Sequence, residues 1–321
     1  VTRTGFLVVD KPAGITSHDV VATIRAVTGI RKVGHTGTLD PFATGVLPVA
    51  VGRSTRLIQF LDESCKVYEA IVSLGRSTDT ADPTGEVKAE AAVPALDEAG
   101  VRRVLESFVG DRMQRPPAYS AVKVKGKRLY QYAREGTPVQ AKARPVRIDS
   151  MEMTSLTDTE IGVRITCSRG TYVRVIAEEI ADALGTVGHL GRLQRSRSGP
   201  FAIDKALCFP RLSELVADRE DWSAVLRPRK DEERVPWAPR EAVWDRLQPW
   251  LCSPASVLGH LPAVALSPAQ RDLLCQRGAA PSPPAEVEVG GHFVALFEAG
   301  LVAVCRREEG GPKLARMFAS A

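Results

Sequence analysis

The 321-residue chain contains no asparagine at all. N-glycosylation signals are therefore excluded, and glycine and aspartate must fill the turn positions that need left-handed or locally hydrogen-bonded backbone. Cysteine is scarce: Cys65, Cys167, Cys208, Cys252, Cys275 and Cys305 are scattered, with no C-x-x-C pair and no histidine near enough to complete a zinc pattern. They read as reduced thiols, and Cys167, alternating with Val163 and Ile165, reads as a buried strand position. No apolar stretch reaches the roughly 18 residues of a membrane span, and the N-terminus lacks the charged start and apolar run of a signal peptide. The expectation is a cytoplasmic protein with no membrane partner. H-E-x-x-H and the dinucleotide-binding glycine fingerprint are missing too. The nearest approach to a phosphate loop, Gly45 through Gly52-Arg53-Ser54-Thr55, has six residues between its glycines instead of four, and Arg53 where lysine is required.

At 321 residues the chain is long enough for two domains, and its 44% hydrophobic residues is ordinary for a globular protein. The net charge of +5 is modest but unevenly placed. From Arg112 to Arg147 there are ten lysines or arginines against the single acid Glu135, a net +9, so the rest of the chain is net −4. Tyr119, Tyr130 and Tyr132 are interleaved there and supply stacking surface among phosphate-binding cations. A charge run of this kind also suits a plain solvated face.

The most informative stretch is residues 34–48, Gly-His-Thr-Gly-Thr-Leu-Asp-Pro-Phe-Ala-Thr-Gly-Val-Leu-Pro. It presents one carboxylate, Asp40, between Leu39 and Phe42. A carboxylate among apolar neighbours loses hydration and requires a cationic partner or a shifted pKa. Pro41 holds Asp40 extended, and the glycines permit turns and close approach of another molecule. By pattern alone, Asp-Pro is also an ordinary turn initiator.

This loop, with Asp10-Lys11-Pro12-Ala13-Gly14-Ile15-Thr16-Ser17 before it and Tyr68, Gly75-Arg76-Ser77-Thr78-Asp79-Thr80 and Gly170-Thr171-Tyr172-Val173-Arg174 after it, resembles the TruB family of tRNA pseudouridine synthases. The blocks span roughly residues 5–205 in the family's order. The resemblance implies a catalytic aspartate at Asp40 with Tyr68 and Arg174 as its companions. It implies His35 holding the target RNA open, Leu193 lining the base pocket and Lys11 with Pro12 buttressing the site. The basic segment resembles the insertion that the family folds over bound RNA, with Lys123, Lys125, Lys127 and Arg128 as its phosphate contacts; if that segment is only a solvated face, Arg192, Arg195 and Arg197 are the next candidates. The implied partner is the T stem-loop of tRNA, the implied reaction isomerisation of uridine 55, and neither cofactor nor metal is called for; a monomer is expected. Residue type alone leaves a core role open for Tyr68 and Leu193, and a loop hydrogen bond for His35. A non-catalytic RNA-binding or RNA-folding protein using the same groove is the reading from a different class.

The expected architecture is α+β: a catalytic domain over residues 1–225 on a mixed, mainly antiparallel sheet, carrying a basic insertion at about 112–147. Residues 226–257, near which all four tryptophans fall (Trp222, Trp237, Trp244 and Trp250), read as a linker or an extra helical segment. Residues 258–321 read as a small PUA-like β-barrel, with strands at 287–289, 293–297 and 301–305. Within the first domain, residues 66–74 alternate with Tyr68, Ala70, Val72 and Leu74 on the apolar face. Ser17 is placed to cap a helix ending at Gly29, and a hairpin is predicted around Gly126. A helix follows Gly170, with Val173, Ile176, Ala177 and Ile180 inward. Residues 188–198 read as another strand, with Leu190, Arg192, Gln194 and Ser196 alternating against Gly191, Leu193, Arg195 and Arg197.

Overall fold

The computed structural model describes residues 3–62, 65–137, 139–217, 225–226 and 237–319. Trp222 and residues 227–236 of the charge- and proline-rich stretch lie outside them. Eight strands form the path of one sheet: β1 (Gly5–Lys11), β2 (Thr44–Val51), β3 (Lys66–Leu74), β4 (Gly110–Gln114), β5 (Arg144–Leu156), β6 (Glu160–Cys167), β7 (Gly188–Ser198) and β8 (Leu207–Cys208). Their order is β8-β1-β2-β7-β3-β6-β5-β4. Only the β1–β8 and β2–β7 pairs are parallel, which gives the mixed, mainly antiparallel sheet of an α+β fold.

Hydropathy patterning explains which strands are central. In β3 the even-numbered residues from Lys66 to Leu74 are buried and the odd-numbered ones are half-buried, as for a sheet covered fully on one face. In β1 and β2 the apolar residues run without alternation, and both faces are covered. Leu7, Val9, Leu47 and Val49 face the main core with helices α1 (Ser17–Thr28), α2 (Glu98–Glu106) and α3 (Val173–Ala183). Phe6, Val8, Val46 and Ala50 face a second core completed by Val294, Leu301, Val304 and Phe318 from the C-terminal region.

That region is a four-stranded sheet of Ala263–Ala265, His292–Phe297, Gly300–Glu308 and Gly311–Met317, with a helix at Pro268–Arg277. The strand expected at 287–289 is absent. Pro281, Pro283 and Pro284 remove ladder donors just before it, the Val287 amide donates to the Pro284 carbonyl, and Val289-Gly290 form a turn closed by the Gly291 amide on the Glu288 carbonyl. The helix was missed by apolar periodicity because Leu274 is its only buried residue. Its end signals are nevertheless in the sequence: a Ser267/Gln270 capping box, Pro268 in the first turn and left-handed Gly278 at the end. Deleting residues 258–321 would uncover Phe6, Val8, Val46 and Ala50 together. At roughly 1.5–3 kcal/mol for each large side chain this approaches the stability of a whole domain. The truncated chain is expected to lose its cooperative thermal transition, and a melt near that of the intact chain would contradict this packing.

Two other local expectations change. Thr16, not Ser17, caps α1, through a capping box with Asp19. In β7 the pairing register shifts between Leu190 and Arg192 and again between Arg195 and Arg197. Such bulges rephase the strand, so Leu190, Leu193 and Arg195 are all buried while Arg192 and Arg197 are exposed. The described part of the tryptophan-rich segment is a helix, Arg240–Leu247, whose Val243, Trp244 and Leu247 enter the main core. The strand Leu251–Cys252 after it pairs with β1. Among the described residues, no helix is long and apolar enough to cross a membrane.

Candidate active site

Asp40 lies in the connection between the short strand Val33–His35 and β2, and this connection is tied down along its length. The Ser17 hydroxyl, freed from capping, accepts from the Leu39 amide at 2.9 Å and donates to the Leu39 carbonyl at 3.1 Å. The Gly14 amide donates to the Pro41 carbonyl at 2.8 Å. Lys11, fully buried at the end of β1, donates to the carbonyls of Pro12 and Ile15 at 2.8 Å and of Pro41 at 3.2 Å. Burial lowers the Lys11 pKa to about 8, against the pull of Asp40. The block at 10–17 and the block at 34–48 thus meet as one structure.

Arg174 enters from the first turn of α3. Gln114, at the end of β4, fixes that turn by accepting from the Tyr172 amide at 2.7 Å and donating to its carbonyl at 3.1 Å. The Arg174 guanidinium forks onto Asp40, with Nε to Oδ2 at 2.9 Å and Nη2 to Oδ1 at 3.2 Å. Its other donors reach the carbonyls of Thr80 at 2.9 Å and Tyr119 at 2.8 Å. The Arg174 side chain is 4% exposed, whereas that of Asp40 is 32% exposed. The carboxylate is therefore held from behind and open in front.

Sequence reasoning missed Asp82, a buried carboxylate 3.7 Å from Arg174 Nη1. It accepts from the hydroxyls of Thr80 at 2.7 Å and Thr84 at 2.6 Å, and from the Thr84 amide at 3.0 Å. The available signal was a second Asp-Pro pair, Asp82-Pro83, directly after the block at 75–80. With Asp82 present the electrostatic balance differs from a simple ion pair. Burial raises the Asp40 pKa above the ordinary carboxylate value, Arg174 opposes the rise and Asp82 adds to it.

Tyr68 is buried on the inward face of β3, and burial pushes its phenol up while neighbouring Arg195 pulls it down. Leu193 packs in the same core, paired with Ala70 across the β3–β7 ladder. His35 ends its short strand opposite Val49; its Nδ1 is buried without a hydrogen-bond partner, and burial, followed by Arg195, lowers its pKa. Both effects favour the neutral imidazole.

The basic segment forms the expected hairpin, Lys123–Val124 with Lys127–Arg128, turning through Lys125 and Gly126 at positive φ, with a helix at Leu129–Arg134 behind it. Lys123, Lys125 and Arg128 are exposed. Lys127 is not a free surface cation: it is ion-paired with Glu135 and lies 4.7 Å from the centre of the Tyr132 ring. The hairpin is tied to the site, because Tyr119, whose carbonyl binds Arg174, leads into residues 120 and 122, which accept from Tyr130 and Leu129. Arg195 is 1% exposed and so cannot belong to an RNA footprint.

The chain resembles in fold the Cbf5-Nop10-Gar1 complex, with a TM-score of 0.69 at 24% identity, over 98% of this chain and 85% of that one. The names of its sequence relatives give the class, that of the pseudouridine synthases. The family model described as TruB family pseudouridylate synthase, N-terminal domain, matches residues 25–173. The tRNA pseudouridine synthase B of Geobacter sulfurreducens is 43% identical over 263 residues, 82% of this chain and 78% of the relative. That of Gloeobacter violaceus is 43% identical over 280 residues, 85% of this chain and 86% of the relative. The chain belongs to the TruB family of pseudouridine synthases.

Proposed function

We propose that this chain converts uridine 55 in the T loop of tRNA to pseudouridine, with Asp40 as the group that engages the reacting nucleoside. The observation that carries this is a carboxylate gripped from behind by a buried guanidinium and open to solvent in front. A protein that only bound RNA would gain nothing from a partly desolvated carboxylate facing a polyanion. The reaction breaks the bond from ribose to uracil N1, turns the base and joins ribose to C5, so no electrons are exchanged with another molecule.

The uridine must first leave its stack, at a cost of a few kcal/mol. A neutral His35 imidazole suits the vacated space as a stacking partner. Tyr68 and Leu193 supply apolar surface for the flipped base, and Lys11 keeps the loop that carries Asp40 in place. Tyr68 is a poor base on its own, since burial favours its protonated form. On this reading the enzyme works as a monomer in the cytoplasm. The catalytic unit expected over residues 1–225 also takes in the helix Arg240–Leu247 and the strand Leu251–Cys252, which pack on its core and its sheet, and residues from about 258 form the smaller RNA-binding unit. The direct test is pseudouridine mapping on tRNA treated with the purified protein, since the conversion leaves mass unchanged; a T loop that stays unmodified would refute the assignment.

The basic hairpin has its own test. Replacing Lys123, Lys125 and Arg128 together by alanine is expected to flatten the plot of log affinity against log salt by roughly 0.7–0.9 per phosphate contact. Lys127→Ala is expected to change the slope little, because Glu135 already balances its charge. Equal slopes for wild type and the triple variant would make the hairpin an ordinary solvated face.

A further inference from the structure

We propose that Arg195 is a positioning residue of this site: its buried guanidinium clamps both arms of the Asp40 loop and orients the Tyr68 hydroxyl. The inference rests on the roles of Asp40 and Tyr68 proposed above. Arg195 Nε donates to the Val46 carbonyl at 2.8 Å, and Nη2 donates to the Gly37 carbonyl at 3.1 Å. Those carbonyls stand on opposite sides of Asp40 in sequence, so one planar group fixes the loop where it leaves the short strand and where it enters β2.

The backbone supports the same clamp. Arg195 pairs with Gly45 in the parallel β2–β7 contact, and Gly45 has φ +101°. A Cβ at Gly45 would lie 2.3 Å from the Arg195 carbonyl oxygen, so only glycine lets the two chains approach this closely. On its other side Arg195 is the cross-strand partner of Tyr68 in the β3–β7 ladder. Among the described residues no acidic side chain pairs with Arg195. A buried guanidinium held by two carbonyls and the Tyr68 phenol, with no acid among its described partners, is unusual in a core, where such charges are normally matched by acids. Its unbalanced charge lies beside Tyr68 and opposes the effect of burial on that phenol. A surface arginine would do none of this; the bulges of β7 are what turn Arg195 inward.

The test uses Arg195→Lys and Arg195→Met in the intact chain, read by tRNA affinity, single-turnover rate and amide exchange over residues 36–47. Lysine keeps a cation of similar reach but lacks the planar fork that spans two carbonyls. For both variants the rate is expected to fall about 100-fold, the scale of a displaced reacting group. Loop exchange should rise at least roughly fivefold, the factor that one lost hydrogen bond carries. Affinity for tRNA should stay within about threefold, since Arg195 is unreachable from the surface. In a Tyr68→Phe background the rate loss from Arg195→Lys should shrink, because residues that act as a unit are not additive.

A wild-type rate or unchanged loop exchange in Arg195→Lys overturns the proposal, as does a fully additive loss with Tyr68→Phe. If Arg195→Met fails to fold, the lysine variant decides alone. Absence of pseudouridine with the wild-type protein would instead refute the functional reading, and loop exchange would still decide whether Arg195 is the clamp.

Discussion

Asp40→Asn is expected to abolish pseudouridine formation, with a loss on the order of 10⁴-fold or more in single-turnover rate, the scale for removing a reacting group. Its tRNA affinity should stay within about threefold of wild type. The substitution is nearly isosteric, so the loop held by Ser17, Lys11 and Gly14 keeps its shape. Arg174 retains the carbonyls of Thr80 and Tyr119 and the Asp82 carboxylate, so it is not left as a bare buried charge. What disappears is the negative charge. Long incubation followed by pseudouridine mapping, with filter binding in parallel, separates the two effects. Substantial turnover by Asp40→Asn would remove Asp40 from the chemistry.

The same carboxylate gives the wild-type rate a definite pH dependence. Burial and Asp82 raise the Asp40 pKa, and Arg174 only partly offsets them. The reactive form is the carboxylate, so the rate should fall as pH falls, with its midpoint above the ordinary carboxylate value. A midpoint at or below that value would mean that the ion pair outweighs burial in solution.

How much of this was readable from the sequence depended on distance along the chain. The loop at 34–48 announces itself because its glycines, its proline and Asp40 are contiguous. Tyr68 could be placed inward because β3 is a regular alternating strand, and Arg174 because α3 has a clean apolar stripe. Asp82 and Arg195 were missed for different physical reasons. Asp82 matters through a contact with a residue 92 positions away, and nothing local marks a polar turn as buried. Arg195 lies in a strand whose bulges break the two-residue period, so alternation grouped it with the exposed Arg197 and left it a surface candidate for RNA contact. The hydroxyl of Ser17 was assigned to a helix cap, the commonest local use, because its bond to Leu39 is made only in the folded chain. The C-terminal sheet was visible as short apolar runs. That it covers the second face of β1 and β2 was visible only as their lack of alternation.

Arg174→Lys should be strongly damaging although it conserves charge, if less so than loss of the aspartate. The guanidinium directs separate donors to both oxygens of Asp40 and to the carbonyls of Thr80 and Tyr119. An ammonium is a point charge with three donors and cannot hold two carboxylate oxygens in one plane while reaching carbonyls from two other segments. At least one buried acceptor loses its partner, at about 1–3 kcal/mol. Tyr119 is the link to the basic hairpin, so its release would loosen that segment as well as Asp40. The expected result is a rate loss of about 100-fold or more from misplacement of the carboxylate. It should come with a lower melting temperature and weaker tRNA binding, a combination that Asp40→Asn should not show. Single-turnover kinetics, thermal melts and binding on the same two variants make the comparison. A lysine variant with wild-type rate and melting temperature would show that the fork is dispensable and that charge alone holds Asp40.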